Sequence, residues 1–425
     1  MINSLIQFLE NSYTAYHAVE NAKAFLLDNG FVPLLETDDW SIEENGKYFV
    51  ERNGSALIAF TVGNLDEFSY KIVASHTDSP ALKLKDNAVM AANGYDKLNV
   101  EKYGGMLLYS YLDRPLKIAG RVVTRENGVL KAQTVTSDYT VSIPSLAIHM
   151  NRSANDGLTL NPQTDMLPLL SLTKENGETD YLSALTDGDA LAYDLYVVNA
   201  DAPYAFGLHN EFVASPRVDD LASVYASLSA LVSHGKSNGI CLAVCLDNEE
   251  VGSRSPQGAD GDFLGKTLKR IAYALKLDET EYYKALANSF MISLDNAHAV
   301  HPNHPEKADP TNKPVLGGGV VVKAHAQKAY VTDAMSAAIL KTIFDGADVA
   351  YQTFYNRSDM PSGSTLGAIA QSHVDVLAVD LGLPQLAMHS ACECFAKADY
   401  TELSKGLTAF YSANLALDEN GWNVR

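Results

Sequence analysis

The sequence predicts an α/β protein: a mostly parallel sheet with helices on both faces, interrupted by an inserted β-rich domain. Three observations lead there. From about residue 209 onward, apolar runs of strand length alternate with helical stretches, as in Ile240-Cys241-Leu242-Ala243-Val244-Cys245-Leu246. Uninterrupted apolar runs suit strands buried on both faces, the usual state of parallel sheets. The stretch 88–208 lacks that alternation and is built of short β-like runs and loops. Finally, histidines and carboxylates follow several predicted strands, where open α/β sheets place their sites.

Taken in order, the chain opens with helices over roughly 2–29, rich in Ala and Leu at helical spacing. Short strands with Asn-Gly turns follow, at Glu44-Asn45-Gly46 and Arg52-Asn53-Gly54. Tyr70-Lys71-Ile72-Val73-Ala74-Ser75 is a predicted buried strand. Within 88–208 the β-like runs are Lys117 to Thr124, Val129 to Val135 and Leu191 to Val198, and Asn151 to Asp165 is a predicted long loop. This divides the chain into a discontinuous domain, 1–87 with 209–425, and an insertion at 88–208. The second part of the larger domain is predicted as helix 220–235, strand 239–246, helix 262–276, strand 287–295, helix 331–345, strand 374–380 and helix 400–417. Gly363-Ser364-Thr365 is predicted to open another helix, whose amides could face an anion in a cleft.

The chemistry gathers at the strand ends. Asp247-Asn248-Glu249-Glu250 follows a buried strand, and a buried unpaired carboxylate costs several kcal/mol. On a strand-to-loop turn, however, Glu249 and Glu250 can both reach one cleft, one holding a metal while the other moves a proton. In His76-Thr77-Asp78 the imidazole can bind a metal through one nitrogen and give the other to Asp78. Asp219, Asp295 and His389 also lie at strand ends or loops. Two histidines and three carboxylates suit a pair of zinc-like ions sharing a bridging carboxylate. Bland roles exist for each residue. Asp219 beside Asp220 also suits a helix N-cap with a first-turn acid, Asp295 a turn, and His389 an ordinary loop. His298, His301 and His304 look like a further metal cluster.

Several segments together resemble the M18 aspartyl aminopeptidases. They include Ser75-His76-Thr77-Asp78-Ser79-Pro80, Val100-Glu101-Lys102-Tyr103-Gly104-Gly105, Leu112-Asp113-Arg114 and Leu146-Ala147-Ile148-His149. They continue with Ser215-Pro216-Arg217-Val218-Asp219, Asp247 to Ser253, Asp295 to Asn303 and Pro384 to Ser390. The resemblance implies an aminopeptidase that removes single N-terminal residues, acidic by preference, from short peptides with a free N-terminus. It implies two zinc ions, with cobalt or manganese also compatible with such ligands. His76 and Asp295 would hold one ion, Glu250 and His389 the other, and Asp219 would bridge them. Glu249 would be the general base, and Asp78 would orient His76. Of the residues around 295–304, only Asp295 would be a ligand. The inserted domain would serve dimerisation, with dimers assembling to a dodecamer and His149 reaching a neighbour's active site. Lys323 or Lys328 would supply the cation for an acidic substrate side chain. The alternatives are an aminopeptidase for neutral or hydrophobic residues and a two-metal deacylase.

Composition narrows the partners. The net charge of −20 argues against nucleic acid, whose phosphates would be repelled. No run approaches the roughly 20 apolar residues of a membrane span, and Met1-Ile2-Asn3-Ser4 lacks the basic start of a secretory signal. Four cysteines, Cys241, Cys245, Cys392 and Cys394, suit reduced thiols. A cytoplasmic enzyme is expected.

Overall fold

The computed structural model describes residues 2–66, 68–173, 180–186, 190–235 and 237–425. Met1 of the N-terminal segment, and residues 174–179 and 187–189 of the predicted insertion, lie outside them.

A nine-stranded sheet forms the frame, in the order Val32–Leu34, Lys47–Arg52, Ala56–Val62, Ile240–Leu246, Tyr70–His76, Phe290–Leu294, Leu377–Gly382, Val320–Lys323, Tyr351–Phe354. The four strands from Ile240–Leu246 to Leu377–Gly382 are mutually parallel. Toward the edges the sheet is mixed, with antiparallel pairings at Ala56–Val62 and Val320–Lys323. Alternation of side chains explains the unbroken apolar runs. Cys241, Ala243 and Cys245 enter one core, while Ile240, Leu242, Val244 and Leu246 enter the other. Helices Ile2–Asn11, Ala15–Asp28, Val218–Ser233, Ala334–Gly346 and Lys397–Ser412 pack on the first face. Helices Phe263–Ala274, Glu279–Ala287 and Leu366–His373 cover the second.

Helix Glu279–Ala287 is absent from the sequence-based expectation. Its start is marked by a capping box, Asp278 with Glu281, and it delays the following strand, expected from 287, to Phe290. No helix among the described residues is long and apolar enough to cross a membrane.

A six-stranded sheet with its own apolar core lies within residues 81–199. Its order is Val129–Thr136, Leu116–Glu126, Ala190–Asn199, Ala81–Ala92, Tyr95–Tyr103, Leu169–Leu172, and every pairing is antiparallel. Strand Ala81–Ala92 begins just after Pro80, so the chain passes almost directly from the first sheet into the second. A third sheet of five strands pairs Phe212–Ser215 with Glu393–Ala396 and links the latter to Pro384–Leu386. It joins the segment ahead of Asp219 to the loop carrying His389.

Candidate metal centre

Ile240–Leu246, Tyr70–His76 and Phe290–Leu294 are adjacent and parallel, so their carboxyl ends open on one side of the sheet. That geometry brings together His76, the Glu249–Glu250 turn and Asp295, which are distant in sequence. Asp219 arrives from the start of helix Val218–Ser233, where Asp219 and Asp220 depart from helical backbone angles. Among the described residues, ligand atoms of His76, Asp219 and Asp295 lie within 4.8 Å of one another, as do those of Asp219, Glu250 and His389 and those of His76, Glu249 and Glu250. Asp219 joins the first two groups: its Oδ1 is 3.5 Å from His76 Nε2 and its Oδ2 is 3.8 Å from His389 Nε2. His76 Nε2 is 4.0 Å from Asp295 Oδ1, and His389 Nε2 is 3.4 Å from Glu250 Oε1. Asp219 Oδ1 has no hydrogen-bond partner, and both carboxylate oxygens face histidines, which is not the arrangement of a simple N-cap.

The supports are specific. His76 Nδ1 lies 3.0 Å from the main-chain carbonyl of Asp78 and 3.4 Å from its carboxylate. Asp78 therefore faces His76 chiefly through its main chain. Its carboxylate instead accepts the amides of Glu249 and Glu250, at 3.1 and 3.2 Å, and the Tyr103 hydroxyl at 2.7 Å. The other nitrogen of His389, Nδ1, lies 3.1 Å from the Gly105 carbonyl. A side chain at Gly105 would crowd that ring, because a Cβ there would sit 3.3 Å from His389 Nδ1.

Burial dominates the electrostatics. It pushes the Glu249 carboxyl up to about 8, with Asp295, Asp78 and Asp219 adding to the rise and His76 opposing it. Glu250 and Asp220 are raised well above the carboxylate range, again by burial first. For Asp219 burial is outweighed by His76, His389 and Lys323, which hold its carboxyl low. So many buried carboxylates call for compensating cations. The Asp219 Oδ1 atom, buried and without a hydrogen-bond partner, is such an acceptor. Imidazole and carboxylate donors suit zinc.

The lysines and remaining histidines separate clearly. Lys323 is buried in the wall of the same cavity of about 320 Å³ as His76, Glu249 and His389. Its Nζ donates to the carbonyls of Asp295, at 2.7 Å, and Asn296, at 3.2 Å, and lies 3.6 Å from Asp295 Oδ2. Burial opposes its charge, but Asp295 and Asp380 outweigh burial and keep it cationic. Lys328 does not line this cavity; its Nζ donates to the Val331 and Thr332 carbonyls, both at 3.3 Å. His298 lines the cavity, and the rings of His301 and His304 lie 5.1 Å apart in a neighbouring one. None of the three enters a ligand-atom cluster among the described residues. His149 sits on an exposed turn outside the cavity lining, whose base Asp113 holds through the Ser145 amide at 2.9 Å. Gly363, Ser364 and Thr365 do line the cavity, but the Thr365 hydroxyl is committed to Asp380 at 2.7 Å. The supporting contacts of Tyr103 and Gly105 are absent from the sequence-based expectation, although both residues belong to the motif segment Val100 to Gly105.

An α/β frame with imidazoles and carboxylates converging at parallel strand ends suits a metalloenzyme. Comparison with known proteins places it more closely. The family model for aminopeptidase I zinc metalloprotease (M18) matches residues 8–411. A probable M18 family aminopeptidase 2 of Clostridium acetobutylicum is 42% identical over 422 residues, covering 96% of this chain and 98% of that protein. Among solved structures, one of an Ape4 and Nbr1 complex superimposes with a TM-score of 0.91 at 33% identity, covering 96% of this chain and 85% of that one. The S. cerevisiae mApe1 dodecamer gives a TM-score of 0.82 at 25% identity, covering 96% and 95% of the two chains. The chain belongs to the M18 family of zinc aminopeptidases.

Proposed function

We propose that the enzyme holds two zinc ions, one between His76 and Asp295 and one between Glu250 and His389, with Asp219 shared. The observation that carries this reading is the placement of Asp219, whose two oxygens face different histidines. Bound there, zinc would act as a Lewis acid toward the scissile carbonyl and make a water easier to deprotonate. Glu249, facing the same cavity, takes the proton of the attacking water and returns it to the leaving amine. Asp78 fixes the turn that presents Glu249. The substrate would be a short peptide with a free N-terminus, released one residue at a time.

The insertion, expected at 88–208, corresponds in this proposal to the six-stranded sheet within residues 81–199, because a boundary at 88 would divide strand Ala81–Ala92; its role in oligomer formation and a cytoplasmic setting belong to the same proposal. Exposed Leu146, Ile148 and Met150 beside His149 suit burial against a second subunit. In an assembled oligomer His149 would then serve a neighbour's site.

For the released residue, Lys323 places a buried cation in the cavity wall, which favours an acidic side chain. Its bonds to the Asp295 and Asn296 carbonyls favour a second reading, in which Lys323 braces Asp295 and the released residue is neutral. Hydrolysis of N-terminal Asp-, Glu-, Leu- and Ala-chromogenic amides, before and after chelation and zinc return, decides between them. Acidic amides fastest would support the first reading and Leu or Ala fastest the second. Zinc-independent turnover, or none on free amines with activity on acylated ones, would reject the aminopeptidase mechanism.

A further inference from the structure

We propose that Glu393 is a positioning residue that sets the spacing between the bridging carboxylate and the histidine of the second ion. One oxygen accepts the main-chain N–H of Asp219 at 3.0 Å, and the other accepts that of His389 at 2.6 Å. These two residues lie far apart in sequence, and neither sits in regular structure. Asp219 has non-helical angles (φ −83°, ψ 106°), and His389 has a positive φ of 66° in a loop where Ala387 also has a positive φ, of 58°. Regular hydrogen-bond ladders therefore do not fix either ligand. Glu393 itself is fixed, fully buried at the start of strand Glu393–Ala396 and in register with Ser215 on the strand that leads to Asp219.

The chemistry demands a carboxylate. Two converging N–H groups need two acceptors and no donor at one side-chain end, which only Asp or Glu supplies. Glutamine would turn an NH₂ group toward one of the amides, leaving a buried donor facing a donor. The Asp219–His389 edge, at 3.8 Å, would then open, while His76 and Asp295 keep their own anchors in Asp78 and Lys323. Metal centres tolerate displacements of only about 0.5 Å. The loss should therefore fall on one ion.

This inference rests on the two-ion reading, and one experiment separates the two. Zinc is titrated into the metal-free full-length chain against a chromophoric chelator, for wild type, Glu393→Gln and Glu393→Asp, with thermal unfolding recorded for each. The expected result is two zinc per wild-type chain. In Glu393→Gln one ion should keep its affinity and the other bind about 10–100-fold more weakly. Glu393→Asp, which retains the charge but is one methylene short, should show the same selective loss. That outcome separates geometry from charge. Unchanged affinities in both variants, or equal loss of both ions in step with a fall in Tm, would overturn the role of Glu393. If Glu393→Gln does not fold, Glu393→Asp is judged by the same criterion. A wild type that binds one zinc overturns the two-ion reading; Glu393 is then decided by whether its variants weaken that ion.

Discussion

The nine-stranded sheet separates two apolar cores and the six-stranded sheet has one of its own; both touch the candidate metal centre, but they contribute in different ways. The first delivers the side chains proposed to ligate or to move a proton: His76 and Asp295 at strand ends, and Glu250 and Glu249 just beyond one. The second delivers supports, the Tyr103 hydroxyl to Asp78 and the Gly105 carbonyl to His389. Strand direction accounts for the difference. Adjacent parallel strands end on the same side, so sequence-distant loops converge. Antiparallel strands alternate in direction, which divides their ends between two edges. Tyr103 ends one such strand, and Gly105 follows shortly after.

Asp219→Ala should have the largest effect, lowering the content of both ions and activity to background. Loss of one ion alone, measured by metal analysis after dialysis, would break the picture of a shared ligand. Glu249→Gln should keep both ions but lower kcat by about 10³-fold; near-native turnover would remove Glu249 from the proton path. His149→Ala tests whether the six-stranded sheet also contributes a side chain, through a neighbouring subunit. Activity should fall by about a hundredfold with zinc unchanged, and a normal rate would leave the insertion with supporting contacts only.

Next in size is a pH effect where helix Ala15–Asp28 meets the six-stranded sheet. His17 lies between the Thr14 and Thr136 hydroxyls at 2.9 and 2.8 Å, and burial, aided by Arg217, pushes its imidazole down to about 4. The unfolded chain takes up a proton near the ordinary value of 6.5, whereas the folded chain resists until about 4. Its contribution is therefore complete above pH 6.5 and lost as pH falls toward 4. Denaturant unfolding should show wild type losing about 2 kcal/mol more than His17→Gln between pH 7 and 5. Equal losses would mean that His17 is not held neutral. The smallest expected change is for Tyr103→Phe, which removes the hydroxyl donated to Asp78. A kcat about tenfold lower with unchanged zinc would show that the second sheet tunes the Glu249 turn. An unchanged kcat would confine Tyr103 to packing.

Much of the centre was legible because its residues carry chemistry that folding alone does not require. Glu249 and Glu250 after a wholly apolar strand, and His76 two residues before Asp78, stand out without any coordinates. The helices and central strands were legible from apolar periodicity, within a few residues at their ends. Helix Glu279–Ala287 was missed because its short polar surface carries little periodic signal, and its capping box went unread. The apparent cluster of His298, His301 and His304 was misleading for a related reason. Closeness in sequence brought His301 and His304 side by side, with the Glu306 carboxylate 3.4 Å from His304, yet among the described residues these ligand atoms form no three-residue cluster.

What the sequence alone determined, then, was local: strand and helix types, the family motifs, and the residues able to ligate or transfer protons. Only the tertiary structure decided which of them meet. It placed Lys323 against Asp295 and left Lys328 on the Val331 and Thr332 carbonyls. It turned the Asp78 carboxylate toward the Glu249–Glu250 amides, and joined Asp219 to His389 through Glu393. The reason is that side-chain identity and periodicity are written along the chain. Convergence depends on sheet order and main-chain hydrogen bonds between segments hundreds of residues apart, which no local pattern records.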